Sequence, residues 1–231
     1  MHVSATEPKF SKLQIRAMSS VVLAPLVLGV IYLGGIWFQL LAVFLLGRSL
    51  YEWVRMSLKS SHKVVLGVAG CLYIAVTIAC LYLIRMTGDV GVYYFAGFLL
   101  TVWASDTGAY FTGKLIGGAK LAPTISPNKT IAGLVGSMFW GGAVLLSYML
   151  VCSIVFDAND VSMLLPAFAV GVVLGLVGQA GDLLISAMKR HVDVKDTGHL
   201  IPGHGGVLDR IDAMLLAAPF FYLSISFFGI I

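Results

Sequence analysis

Two stretches of this chain carry groups that could work on anionic phosphorus. The first is Trp103-Ala-Ser-Asp106-Thr-Gly-Ala-Tyr110-Phe-Thr-Gly113-Lys114, which continues to Ser126-Pro-Asn128-Lys129-Thr130. The second runs from Asp182 to Asp212, 31 residues that hold five of the eleven acids, three of the five histidines and four of the fifteen bases. An acid within an apolar segment is costly and faces a protein interior or a wet cavity. Asp182 is such an acid. Helical spacing puts Ser186 and Lys189 on its face, with Arg190 close by, although a packing Asp–Lys pair would show the same spacing. Next, Lys195-Asp196-Thr197-Gly198 leads to Pro202-Gly203-His204-Gly205-Gly206. Three glycines around one histidine let the backbone approach a ligand closely, and successive N–H groups there can cradle anionic oxygens. A tight turn between two helices is the plainer alternative.

Asp209 and Asp212 lie three apart on one face of a starting helix. They suit the positive end of that helix, and they also suit metal ligation. Magnesium takes oxygen donors, often one or two carboxylates plus substrate phosphates. Asp182 and Asp209 flank the glycine-rich loop and could meet across one ion. Asp106 repeats the theme, with Tyr110 and Gly113 following on its face. Ser126, Asn128, Lys129 and Thr130 place hydroxyls, an amide and a cation before an apolar segment, where phosphate binding and simple capping both fit. Glu52, beside Trp53, reads as an interfacial residue at a segment end. His191 and His199 have no evident partners. No Gly-x-Ser-x-Gly elbow and no zinc spacing occur. Cys71, Cys80 and Cys152 sit inside apolar runs and read as small buried hydrophobes.

The elements that must hold these groups are apolar helices. The chain is 59% hydrophobic and 11% charged, whereas an ordinary soluble domain is about 45–50% apolar and about 25% charged. A bilayer core needs roughly 20 apolar residues per helix. Seven segments qualify, at about Ala17–Gly35, Ile36–Leu50, Val64–Ile84, Gly91–Gly113, Ile131–Phe156, Ser162–Met188 and Ile211–Ile231. The second is the weakest. With the N-terminus in the cytoplasm, fourteen of the fifteen basic residues fall in cytoplasmic segments and only Arg85 falls outside. That is the positive-inside pattern. The expected architecture is therefore all-α: one polytopic integral membrane domain over 1–231, with about seven transmembrane helices and a cytoplasmic N-terminus. Residues 1–63 would form an N-terminal helical hairpin. Residues 64–231 would form the catalytic region, with cytoplasmic motifs at 103–130 and 182–212. The formal net charge of +4 then reports topology and a weak pull toward anionic lipid. Nucleic acid is not an expected partner, because that reading needs a basic face on a soluble module.

The run Ser186-Ala-Met-Lys189-Arg190, four residues, Lys195-Asp196, then Pro202-Gly-His204-Gly205-Gly206-Val-Leu-Asp209-Arg210-Ile-Asp212 resembles the signature of the phosphatidate cytidylyltransferase (CDP-diacylglycerol synthase) family, bacterial type. Asp106–Gly113 and Ser126–Thr130 are similar to the family's other cytoplasmic blocks. The likeness covers about the C-terminal half; Arg16 and Glu52-Trp53 are looser echoes. Two departures stand out. Many bacterial members are longer, and many have Trp-Glu where this chain has Ile131 and Ala132.

The resemblance implies transfer of CMP from CTP to phosphatidate, giving CDP-diacylglycerol and pyrophosphate. It further implies Mg2+, with a second metal ion left open, and a homodimer in the bacterial inner membrane with a cytoplasm-facing site. On that reading Asp182 and Asp209 hold metal, with Asp212 or Asp106 as a further ligand. Lys189, Arg190, Lys195 and Arg210 neutralise phosphate. His204, Gly205 and Gly206 cradle the triphosphate. Ser126, Asn128, Lys129 and Thr130 cap one substrate phosphate, and Asp196 orients Lys195. The competing readings are a CTP-dependent lipid kinase-like enzyme and an ion-coupled transporter.

Overall fold

The computed structural model describes residues 12–156, 162–200 and 205–228. Six long helices dominate: α1 (Lys12–Leu33), α2 (Gly35–Ser57), α3 (Lys63–Arg85), α4 (Gly91–Ile116), α5 (Ile131–Val155) and α6 (Leu164–His191). A single turn, α7 (Leu208–Ile211), precedes α8 (Met214–Phe228). Among the described residues, each apolar segment expected from the sequence is occupied mainly by helix. By length and composition, α3, α5 and α6 can each cross a membrane; shorter apolar helices lie at Val21–Leu33 and within α8. The second segment, expected to be the weakest, forms a full helix through Ser57. The seventh starts later than expected. Its helix begins at Met214, after a break at Asp212 that separates α7 from α8.

The fold is nearly all-α, with one correction. Between α4 and α5 the chain forms an antiparallel hairpin of β1 (Lys120–Ala122) and β2 (Ser126–Thr130), in which Lys120 pairs with Thr130 and Ala122 with Ser126. Gly117 and Gly118 both take positive φ and turn the chain out of α4 into this hairpin. The hairpin delivers Thr130 to the start of α5, where its hydroxyl accepts from the Gly133 N–H at 3.0 Å. That is an N-cap.

Helices meet through small residues, as expected where lipid tails supply no hydrophobic drive between helices. A Cβ on Gly141 of α5 would lie 2.5 Å from the Gly171 carbonyl oxygen of α6. A Cβ on Gly181 of α6 would lie 2.7 Å from the Asp212 carbonyl oxygen. The latter contact seats the α7–α8 turn directly against the helix that carries Asp182. Across the bundle, the buried Thr77 hydroxyl of α3 donates to the Leu215 carbonyl of α8 at 2.8 Å. The Trp53 indole N–H of α2 donates to Leu66 O of α3 at 2.9 Å. Large apolar side chains such as Val64, Val68, Leu72 and Val76 remain exposed along α3. Water would not tolerate such a stripe, but lipid does.

Arg85 has a local explanation. Its Nε donates to Ile31 O at 2.6 Å and its Nη2 to Tyr32 O at 3.0 Å. A cation thus satisfies carbonyls at the C-terminal end of α1 and complements that end of the helix dipole.

Candidate active site

The site is assembled from the second half of α6, the β hairpin, the loop that leads into α7, α7 itself, and one residue each of α2 and α4. On α6, Ser186 Oγ donates to Asp182 Oδ1 at 3.2 Å, so the expected shared face is present. Lys189 lies two turns along that helix but pairs elsewhere. Its Nζ meets Asp209 Oδ1 at 2.8 Å. The cation on Asp182 comes instead from the hairpin: Lys129 Nζ lies 2.6 Å from Asp182 Oδ2. Gln179, one turn before Asp182 on α6, donates Nε2 to Asp106 Oδ1 at 3.1 Å and ties α4 to the same group. Asp106, Lys129 and Asp182 therefore converge from three elements.

Asp209 is almost entirely enclosed. Its Oδ1 takes Lys189, and its Oδ2 accepts from the Thr197 N–H at 2.8 Å and the Gly206 N–H at 3.0 Å. The Thr197 hydroxyl lies 2.9 Å from the same oxygen. Burial alone would raise this carboxyl. The Lys189 bond, then the Gly206 and Thr197 N–H groups and the Lys189 charge, outweigh that and hold it below its ordinary value of 3.8. A folded-state pKa below the unfolded one contributes stability above the unfolded value, and that stability is lost as pH falls through the folded value. Asp209→Asn should therefore flatten the acid limb of thermal unfolding below about pH 4. Lys189→Met should cost roughly 3–5 kcal/mol, because it strands a buried carboxylate. A melting curve in detergent for each variant tests both statements; an unchanged acid limb and midpoint would overturn them.

Glu52 is not the interfacial residue that its place at a segment end suggests. It is 1% exposed. Oε1 accepts from the Val207 N–H at 3.1 Å and from Arg48 Nη2 at 2.9 Å. Oε2 accepts from the Leu208 N–H at 2.9 Å and lies 3.0 Å from the Thr197 hydroxyl. That hydroxyl has one proton and two carboxylates in reach, so it serves Glu52 and Asp209 in turn. Glu52 thus caps α7 from a helix more than 140 residues away in sequence. The Arg48–Glu52 pair at i,i+4 was the available sequence signal.

The same contacts explain the glycines. A Cβ on Gly198 would lie 2.7 Å from Glu52 Oε1, and one on Gly206 would strike Glu52 and Thr197. Gly205 takes φ +83°, and its Cβ would lie 2.8 Å from Asp209 Oδ2. These glycines let the loop close on two protein carboxylates. His204 lies outside the described residues. Lys195 and Asp196 are exposed on the loop, Arg210 is exposed on α7, and Asn128 is exposed on β2. Ser126 is half-buried on β2, and Thr130 is buried in its capping role. Arg190 Nε donates to Ile125 O at 3.3 Å and its Nη1 to Val194 O at 3.2 Å, bracing the hairpin against the end of α6. His191 gains a partner, with Nε2 2.9 Å from Ser60 Oγ.

Asp212 stands in the turn between α7 and α8. Burial first, then the charge of Asp182, push its carboxyl up to about 7; the Ala213 N–H and Lys189 oppose this and Asp106 adds to it. A buried carboxyl under the negative charge of its neighbours marks a place where a cation would be welcome. Among the described residues no group of three or more His, Cys, Asp or Glu lies close enough to hold a metal ion by itself. Magnesium does not require one, because it keeps waters and takes one or two carboxylates with substrate phosphates. The hard oxygen donors of Asp182 and Asp212, with the charge of Asp106 acting on Asp212 as well, fit it. Asp209 could join only if Lys189 released Oδ1.

The sequence as a whole has counterparts among known proteins. A family model described as "Cytidylyltransferase family" matches residues 57–228. Phosphatidate cytidylyltransferase of Rickettsia felis is 34% identical over 213 residues, covering 91% of this chain and 92% of that protein. The Bacillus subtilis protein of the same name is 38% identical over 163 residues, covering 67% of this chain and 58% of that protein. The Staphylococcus aureus one is 44% identical over 133 residues, covering 58% of this chain and 49% of its own length. Matched by the family model over most of its length, and by a full-length relative almost end to end, this chain belongs to the cytidylyltransferase family.

Proposed function

We propose that this nucleotidyltransferase moves CMP from CTP to phosphatidate at the cytoplasmic face of a bacterial inner membrane. The observation that carries the reading is the carboxylate–lysine cluster of Asp182, Lys129, Lys189 and Asp209, gathered at one end of apolar helices. The near end-to-end likeness to a phosphatidate cytidylyltransferase supports the same substrates. Placing seven segments across the bilayer with the N-terminus inside brings both motif regions to the cytoplasmic surface, where a lipid phosphate and a soluble nucleotide can meet. A homodimer is part of the reading.

Two polyanions must approach, so the work is positioning and charge neutralisation. A phosphatidate phosphate oxygen, already anionic, attacks the α-phosphorus of CTP. A new P–O bond forms as the α–β bridging P–O bond breaks, and pyrophosphate leaves with that electron pair. No strong general base is needed. Lys129 and Lys189 sit where the phosphates must gather and can exchange their carboxylate partners for phosphate oxygens. Lys195 and Arg210, both exposed, meet the incoming anions first. Asp196 orients Lys195. Asp182 and Asp212 would hold magnesium, which when bound neutralises phosphate charge and aligns the leaving group. Glu52 and Thr197 keep the loop from folding away from these groups.

The test uses purified protein in detergent with phosphatidate, magnesium and CTP labelled in the cytosine ring. Label should enter the lipid fraction with an equal amount of pyrophosphate. Phosphorylated lipid with free CDP would assign a CTP-dependent kinase instead. No label in lipid from folded protein would sink the transferase reading.

A further inference from the structure

A cavity of about 800 Å³ runs between α1, α2, α3 and α4 and reaches the α7–α8 turn. Its wall is apolar, with Leu41, Leu45, Phe95, Leu99 and Trp103 among the lining residues. Arg210 is the charged residue of that lining, and it sits at the α7 end. Two features tie the cavity to the acidic cluster. Trp103 stands one turn before Asp106 on α4, and Ile211 and Met214 bracket Asp212. An apolar groove that ends on a cation beside the reacting groups has the polarity of an anionic lipid.

Its length fits too. The α1 wall spans Ser19 to Ile31, which at the helical rise is about 18 Å. One leaflet of hydrocarbon is about 15 Å deep, half of a typical bilayer core. A soluble nucleotide has no use for such a wall.

We infer that this groove binds an acyl chain of the phospholipid substrate, with the lipid phosphate drawn toward Arg210, and that its lining sets acyl-chain preference. The inference rests on the phosphatidate reading above. Ala24 and Ala42 line the groove and are small, so Ala24→Phe and Ala42→Phe fill it without removing a packed side chain.

The first experiment compares dioleoyl with dihexanoyl phosphatidate. Each variant should raise KM for the long-chain lipid roughly tenfold, about the worth of two displaced methylenes. KM for the short-chain lipid and for CTP should stay put, and that retained turnover shows the variant is folded. Equal effects on both lipids, or none, would overturn the proposal. So would a loss of cross-linking between two copies with lipid kinetics unchanged, since the groove would then be a subunit contact. The second experiment uses phosphatidate with a photoreactive group in one acyl chain. Label should map to Leu41, Leu45 or Leu99 and be competed by phosphatidate but not by phosphatidylcholine; label elsewhere would overturn the proposal. Label in the groove of a protein that makes no CDP-lipid would leave the groove standing and remove the transferase reading.

Discussion

Asp182→Asn is expected to lower cytidylyl transfer about 10³-fold, the scale of losing a principal electrostatic group from an active site. The substitution keeps shape and can keep the Ser186 hydrogen bond at 3.2 Å. It removes the charge that holds Lys129 Nζ at 2.6 Å and that acts on Asp212. Two consequences should appear together. Lys129 loses its anchor, and the acidic cluster loses the carboxylate that a divalent cation would find first. Even outer-shell partners of a metal ligand cost about 10–100-fold in affinity when removed. The magnesium needed for half-maximal rate should therefore rise by at least about tenfold. The measurement is initial rate against free magnesium for wild type and variant. Activity within a few-fold of wild type, at an unchanged magnesium requirement, would remove Asp182 from the chemistry.

The second large effect falls on a residue that touches no substrate in the proposed mechanism. Glu52→Ala strips acceptors from the buried Val207 and Leu208 N–H groups and leaves Arg48 without its carboxylate. A buried donor left unsatisfied costs about 1–3 kcal/mol, so stability should fall by roughly 2–6 kcal/mol. The loss in catalysis is separate. Asp209 is held partly by Thr197 and Gly206, and Glu52 positions both. Displacement of a catalytic group by about 1 Å can cost about 10²-fold, and kcat/KM should drop by about that factor even where the variant is fully folded. Glu52→Gln retains one good acceptor and turns an N–H toward a donor, so it should fall between the two. Rates taken well below each variant's unfolding midpoint separate the effects. An alanine variant that melts early yet turns over normally in the cold would show that Glu52 serves stability alone.

Much of the site could be read from residue spacing because its parts are local. Asp182 and Ser186 share a face at i,i+4, and the loop from Lys195 to Gly206 announces itself by its glycines. Partner choice was not legible. Helix periodicity puts Lys189 on the face of Asp182, but a lysine stem is long enough to choose between two carboxylates, and the choice depends on where α7 lands. The glycines were visible, yet their reason was hidden. They approach Glu52 and Asp209 as closely as they could approach a ligand, and periodicity cannot distinguish the two. Glu52 itself was obscured by its surroundings: one acid at the end of an apolar helix looks like any headgroup-level residue until the chain returns to it. The β hairpin leaves no mark in the sequence, because strands of three and five residues are too short for an alternating pattern to register. The apolar helices were the easiest to read, since helix length and lack of charge are properties of the segment alone.

The clamp from Glu52 to the start of α7 also sets an order for making the enzyme. The carboxylate and its N–H partner at Leu208 are separated by 156 positions. At a synthesis rate of about 5–20 residues per second, roughly 8–30 s pass between their emergence. For most of that interval Glu52 has, of its four partners, only Arg48, one turn back on the same helix. Only when about the last tenth of the chain arrives can that acid meet the Val207 and Leu208 N–H groups, and only then can Asp209 be fixed. A chain that stops before Thr197 therefore lacks every partner of Glu52 except Arg48, and it cannot form the clamp that fixes Asp209.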